Sequence, residues 1–257
     1  MPISIPAAVE QLLKGRVSPQ LMTPLSETAP DLTLEQGYAV QRALAQALAG
    51  RGERVIGWKV GFTSPSLQQQ YGVSEPVFGF MLASGVFSSG DAVPYSRFVG
   101  LAVEVETAFR LTAPLTGPGV TAASARAAVG ETMPSFELID VRLSGKPRGA
   151  DVVADGVYTN AIVLGRAVSP AGVDFAQERV VFEHNGEVVA TNTTGEVMGN
   201  PLNSLAWLAN ALGRAGRSLH AGDVVLTGSI SKILRPKAGE SIRASFARLG
   251  DVTCRFV

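Results

Sequence analysis

From Val55 onward the chain is a succession of short β-branched and apolar runs separated by Gly, Pro, Ser and Asn. This pattern restricts it to a fold built around β-sheet. Strands are expected over residues 55–60, 85–87, 101–111, 136–143, 158–164, 179–185, 187–194, 223–227 and 241–246. Asn185-Gly186 lies between two of these runs and predicts a tight hairpin. Two helical stretches interrupt the strands, at 121–129 and at 203–215, the latter with Leu205, Leu208 and Leu212 on one face.

Residues 1–54 read differently. Residues 7–14 form a short amphipathic turn or two, and residues 18–30 hold three prolines and are expected to be a loop. Thr33-Leu-Glu-Gln36 is a capping box opening a helix through Tyr38, Val40, Leu44 and Leu48 that stops near Gly50 and Gly52. The expected fold class is α+β: a small helical N-terminal region (1–54) followed by a mostly β body (55–257).

With 46% hydrophobic and 17% charged residues, the chain can bury a sizeable core. Lys plus Arg and Asp plus Glu number 22 each, with no basic stripe, which argues against a nucleic-acid partner. Cys254 is the only cysteine, so no internal disulfide forms, and a core position is expected for it. No apolar stretch approaches the about 20 residues that span a bilayer, and residues 1–10 lack the pattern of a signal peptide. A soluble, cytoplasmic protein with no membrane partner is expected.

The chemical signal is concentrated in Leu101-Ala-Val-Glu-Val-Glu-Thr-Ala-Phe-Arg-Leu111. Strand side chains repeat every two residues, so Glu104 and Glu106 share one face and Leu101, Val103 and Val105 the other. Two adjacent like charges repel unless a positive group lies between them, and a hard divalent ion such as Mg²⁺ or Mn²⁺ favours carboxylate oxygens. The alternative is a solvated pair on a wet strand face with Arg110 as partner. Glu137 adds a third acid in an otherwise apolar run, where it needs an ion or a buried arginine. Asp140, on the opposite face, is placed to pair with Arg142.

Lys59, in Gly57-Trp-Lys-Val-Gly61, sits in an apolar strand bracketed by glycines. It could give or take a proton or neutralise an oxyanion, or it could simply snorkel from a strand end. Thr227-Gly-Ser-Ile-Ser-Lys232 follows a strand and offers hydroxyls and N–H groups to a carboxylate, unless it is an ordinary turn. With two histidines, His184 and His220, both expected in surface positions, a zinc site of usual spacing is absent. No P-loop, dinucleotide fingerprint or Gly-x-Ser-x-Gly elbow occurs.

Taken in order, Leu32–Gln41, Gly57–Gly61, Glu75–Gly79, Glu104-Val-Glu106, Glu137, Gly199–Asn210 and Leu226–Ser229 make the chain resemble the hydratase and decarboxylase branch of the fumarylacetoacetate hydrolase superfamily over nearly its whole length. The resemblance implies a mixed β-roll or pseudobarrel catalytic body and a homo-oligomer. It also implies Mg²⁺ or Mn²⁺ on Glu104, Glu106 and Glu137, with Lys59 as the active-site lysine. The implied reaction is hydration of a 2-hydroxy-2,4-dienoate of the 2-keto-4-pentenoate type to a 4-hydroxy-2-oxo acid, in the catabolism of aromatic ring-cleavage products. A small 2-oxo acid substrate and a pathway partner enzyme are the implied associates.

Two departures stand out. Glu75-Pro-Val77 replaces Gln-Pro-Asp, and Gly156-Val-Tyr-Thr-Asn160 follows Asp155 where a Ser-containing stretch is usual. Both lie where substrate or water would be handled, so Asp155 and Tyr158 are candidate substrate-binding residues, beside Thr227 and Ser229 of the hydroxyl-bearing 227–232 segment. Decarboxylation of 2-oxo-3-hexenedioate stays open beside hydration. A C–C hydrolase would need a histidine–acid dyad that neither histidine's segment matches. A non-catalytic, cation-containing β-rich binding protein would keep the three glutamates without needing Lys59.

Overall fold

The computed structural model describes residues 3–257. It is a mixed helix-and-sheet fold with one seven-stranded and one five-stranded sheet. Residues 1–2 of the expected helical N-terminal region lie outside the described residues.

Three helices come first: α1 (Ile5–Val17), the one-turn α2 (Leu25–Thr28) and α3 (Leu34–Ala49). The expected capping box opens α3, with Thr33 Oγ accepting from the Gln36 N–H and Gln36 Oε1 from the Thr33 N–H. Helix α2 interrupts the 18–30 stretch expected to be loop. The buried Gln41 amide on α3 donates to the carbonyls of Phe78 (2.9 Å) and Val153 (2.8 Å), binding the N-terminal helices to the sheet.

The larger sheet contains β1 (Val55–Gly61), β2 (Val77–Leu82), β3 (Val86–Ser88), β5 (Leu101–Leu111), β6 (Val129–Asp140), β7 (Thr159–Leu164) and β10 (Val224–Leu226). Their order is β2-β1-β10-β5-β6-β7-β3. The smaller sheet has the order β4-β12-β11-β8-β9, with β4 at Ala92–Val93, β8 at Arg179–His184, β9 at Glu187–Thr193, β11 at Ser241–Phe246 and β12 at Gly250–Phe256. The β8–β9 hairpin turns on Asn185 (φ 52°) and Gly186 (φ 85°), the backbone an Asn-Gly turn requires. The remaining helices are α4 (Pro65–Tyr71), α5 (Ala122–Ala128), α6 (Gly149–Ala154) and α7 (Pro201–Arg214). Helix α7 buries Leu202, Leu205, Leu208 and Leu212, each contributing about 1.5–3 kcal/mol.

Strand β6 differs most from expectation. It begins seven residues before Phe136 and ends at Asp140, short of Leu143. Gly130 and Pro134 read as breakers, yet the Pro134 carbonyl faces Gly165, beyond the end of β7 (Gly165 N–H to Pro134 O, 2.8 Å). The proline nitrogen shares that side, so no ladder donor is lost toward β5. Strand β2 and helices α4 and α6 carry no clear periodic signal and were not expected; neither were the two-residue β4 and the longer β12, although β12 alternates Val252, Cys254 and Phe256 with polar residues.

Behind the sheet lies a buried ionic network. Arg142, 1% exposed, pairs with Asp140 (3.3 Å) and Asp155 (2.9 Å). The expected Asp140–Arg142 pair is therefore present. Arg16 from α1 reaches the Asp155 carboxylate (3.5 Å) and its backbone carbonyl. Removing one member of such a network strands a buried charge. Asp155→Ala is expected to lower unfolding free energy by about 3–5 kcal/mol in a urea titration; a change within experimental scatter would show that the network is not structural.

Candidate active site

Strands β5 and β6 bring the acids together. Their antiparallel register sets Glu104 opposite Glu137 and Glu106 opposite Ser135, so the three glutamates share one face of the sheet. Lys59 joins from two strands away: it pairs with Leu226 on β10, which pairs with Ala108 on β5, the face of Glu104 and Glu106. One carboxylate oxygen from each glutamate lies within 4.8 Å of the other two. Lys59 Nζ is 2.9 Å from Glu137 Oε2. Beyond the acids the face is closed by Met81, Ala108, Met133, Ile162, Val224 and Leu226, a small apolar cluster apart from the main core.

Close backbone approach explains the glycines around Lys59. A Cβ on Gly57 would stand 1.8 Å from the Val224 carbonyl oxygen, and one on Gly79, opposite Lys59, 2.3 Å from that of Gly156. These positions let β10 close on β1 and the 156–158 turn close on β2. That turn holds Gly156, Val157 and Tyr158 at φ 76°, 58° and 62°. A β-branched valine in the left-handed region is strained, and such strain clusters at functional sites.

Electrostatics separate this cluster from ordinary surface acids. Glu106, Glu137 and Lys59 are 0%, 0% and 2% exposed. Burial, opposed by Lys59 and reinforced by Glu137, pushes the Glu104 carboxyl up to about 7. Burial and the neighbouring carboxylates raise Glu106 well above the usual range. Burial alone would lower the Lys59 ammonium, but attraction to Glu137, Glu104 and Glu106 outweighs it and the net shift is upward. Fully ionised, three acids and one ammonium leave two negative charges in an apolar setting. A single divalent cation would balance them.

The donor set also fits such an ion. Glu106 Oε2 accepts from the Gly228 N–H at 2.6 Å, while its Oε1 is buried without a hydrogen-bond partner. Glu137 Oε1 accepts from the Thr159 hydroxyl at 3.0 Å, and the Thr159 carbonyl accepts from Arg142 (3.2 Å), linking the acid to the ionic network. In Glu106 one oxygen is thus oriented by the protein while the other is free to ligate, the usual arrangement for metal carboxylates; Glu137 is held by Thr159 on one oxygen and by Lys59 on the other.

The other expected residues divide. Arg110 is not the partner of the glutamate pair; it binds Glu131 at 2.9 Å, because the two lie opposite each other in the β5–β6 register. No arginine meets Glu137 either, since Lys59 occupies that side. Lys59 is too deeply buried to snorkel. Asp155 faces Arg142 and Arg16. The Thr227 hydroxyl donates to the Thr107 carbonyl (3.0 Å) and that of Ser229 to the Ser231 carbonyl (2.8 Å), so the backbone of Gly228 is what reaches the acids. Tyr158 is buried with a phenolic oxygen that has no partner. Thr159 was missed in the sequence; its place after a strained turn gives no local signal. His184 pairs with Glu240 (2.7 Å) at a strand end, and His220 is exposed. Cys254 is in the core, and burial pushes its thiol up to about 12.

Known proteins resemble this chain in sequence and fold. The Fumarylacetoacetate (FAA) hydrolase C-terminal family matches residues 54–257. The chain is 34% identical over 255 residues to a 2-keto-4-pentenoate hydratase from Burkholderia vietnamiensis, covering 98% of this chain and 97% of that one. It is 32% identical over 236 residues to a 2-oxo-hept-4-ene-1,7-dioate hydratase from Escherichia coli, covering 89% and 88%. The structure of 4-oxalocrotonate decarboxylase from Pseudomonas putida G7, complexed with magnesium and adipate, superposes with a TM-score of 0.96 at 30% identity, covering 100% and 99% of the two chains.

Two outcomes follow from the charge balance. Glu106→Gln should weaken Mg²⁺ binding at least about tenfold in calorimetry without unfolding the protein; unchanged affinity would remove Glu106 from the ligand set. A carboxyl raised from 4.5 to about 7 holds its proton in the folded, metal-free form, so that form loses stability as pH rises through this window. The ion must displace the same proton. The rise in Tm given by Mg²⁺ should therefore be larger at pH 8 than at pH 5.5, and the reverse order would contradict the assignment.

Proposed function

Because this chain belongs to the Fumarylacetoacetate (FAA) hydrolase family, we propose that it is a divalent-metal-dependent lyase that hydrates a 2-hydroxy-2,4-dienoate to a 4-hydroxy-2-oxo acid. The observation that carries this reading is the convergence of Glu104, Glu106 and Glu137 with the Lys59 ammonium on one buried sheet face. The two sheets are read as that family's β-roll, with 55–257 as the catalytic part, 1–54 as the helical region and a homo-oligomer as the working form. Mg²⁺ is the favoured ion on the glutamates, with Mn²⁺ as the alternative.

A bound divalent ion would supply Lewis acidity to the carboxylate and 2-oxo oxygens of the acid head. The chain's own residues do the rest. The Gly228 N–H and the Thr159 hydroxyl hold Glu106 and Glu137 in place. Lys59, kept protonated beside Glu137, stabilises negative charge developing on the enol oxygen and exchanges a proton there. In the balanced reaction the enol O–H proton is lost and the terminal diene carbon is protonated, giving the conjugated 2-oxo-3-enoate. Water then adds its oxygen to C4 and a proton to C3. The sealed apolar floor excludes competing water from below.

A second reading, decarboxylation of 2-oxo-3-hexenedioate, is favoured by the near-complete superposition on 4-oxalocrotonate decarboxylase. It needs the same electron sink but releases CO₂ from the far end. Purified protein with Mg²⁺ should bleach the absorbance of 2-hydroxypenta-2,4-dienoate or of a longer dienoate and yield the 4-hydroxy-2-oxo acid. Unchanged absorbance with CO₂ release from 2-oxo-3-hexenedioate would replace hydratase by decarboxylase. Lys59→Ala should lower kcat at least about 100-fold while metal binding survives. Full activity in that variant would favour a cation-containing binding protein whose turnover belongs to a contaminant.

A further inference from the structure

The segment after β10 does not leave the sheet but continues antiparallel along β5. The Thr227 N–H donates to Thr107 (3.3 Å), the Ile230 N–H to Val105 (2.8 Å), and Leu234 and Val103 exchange two bonds of 3.1 and 2.8 Å. Residue 234 therefore stands opposite 103, and Arg235 falls on the side of the strand that carries Glu104. Arg235 is exposed and makes no ion pair among the described residues.

The facing wall is the 62–71 segment. It touches the first at its base, where a Cβ on Gly228 would lie 2.6 Å from Thr63 Cγ2. Tyr71 stacks on Phe62 with ring centroids 4.4 Å apart, and the Gln68 amide holds the Phe62 carbonyl at 2.9 Å. Burial raises the Tyr71 phenol, which Arg235 lowers and Glu104 raises again, so Tyr71 lies within electrostatic reach of both the cation and the nearest acid. The Tyr158 phenol, whose buried oxygen has no partner, lies within electrostatic reach of Tyr71.

This end of the site is rich in donors. The Arg235 guanidinium and the Tyr71 and Tyr158 phenols supply them, and Arg235 has no ion-pair partner among the described residues. Such a set suits a carboxylate and gives an uncharged alkyl tail nothing to pair with. We propose that Arg235, with Tyr71 and Tyr158, forms a subsite for a second carboxylate at the end of the substrate remote from the three glutamates, so that the preferred substrate is a dioate. The inference rests on the lyase reading for the placement of the acid head, and it narrows the substrate class within that reading.

The test uses two ligands with one head and different tails, 2-oxoadipate and 2-oxohexanoate, titrated into the full-length, Mg²⁺-loaded protein by calorimetry. The wild type should bind 2-oxoadipate at least about tenfold more tightly. In Arg235→Ala this preference should fall to about twofold or less, with 2-oxohexanoate unaffected, and Arg235→Lys should restore part of it. Equal affinities in the wild type, a preference retained in Arg235→Ala, or an equal loss for both ligands would each overturn the subsite. A clear preference in a protein that turns over neither dienoate nor 2-oxo-3-hexenedioate would leave the subsite standing and sink the lyase reading. Binding of neither ligand would overturn both.

Discussion

The structure is organised around negative charge held inside an apolar sheet. Glu104, Glu106 and Glu137 crowd onto one face of β5 and β6, and Lys59 neutralises only part of what they carry. Burial makes unbalanced charge expensive. Two fully buried acids and a half-buried third add nothing to stability in such a setting; hydrophobic residues of the same shape would serve that end better. We read the cluster as a receptor for a cation, with much of the surrounding architecture keeping it in shape.

Three devices serve that end. Strands β5 and β6 give the register that sets Glu104 against Glu137. The extension of β10 along β5 turns a backbone N–H onto Glu106. The strained 156–158 turn delivers Thr159 to Glu137 and passes the constraint to Arg142, Asp155 and Arg16. The N-terminal helices take part through Arg16 and through Gln41, which binds β2 and α6 at once. The acids are thus fixed from several elements, as a preorganised site requires.

Much of this was legible in the sequence, for physical reasons. A two-residue repeat places Glu104 and Glu106 on one face whatever the partner strands are. The capping box at Thr33 and the Asn185-Gly186 turn are local signals and appear where expected. What escaped depends on tertiary context. Strand β6 runs through Gly130 and Pro134 because the proline's missing donor faces the end of β7, which no single-strand pattern reveals. Arg110 lies on the correct face of β5 but finds Glu131 across the ladder. Thr227 and Ser229 spend their hydroxyls on backbone carbonyls, and the glycine between them reaches the acid. Thr159 is positioned by left-handed residues of types that seldom adopt that backbone, so its role is visible only in three dimensions.

The relatives are named for acids that differ beyond the acid head, which suits a fold that fixes the carboxylate cluster in the sheet and leaves the far end to loops. The central claim is that the receptor takes one divalent ion. Anomalous diffraction from a crystal soaked in Mn²⁺ tests it most directly. The account predicts one strong peak within about 2.0–2.2 Å of an oxygen from each of Glu104, Glu106 and Glu137. Density showing the three carboxylates closed on Lys59 and on one another, with no peak among them, would contradict it.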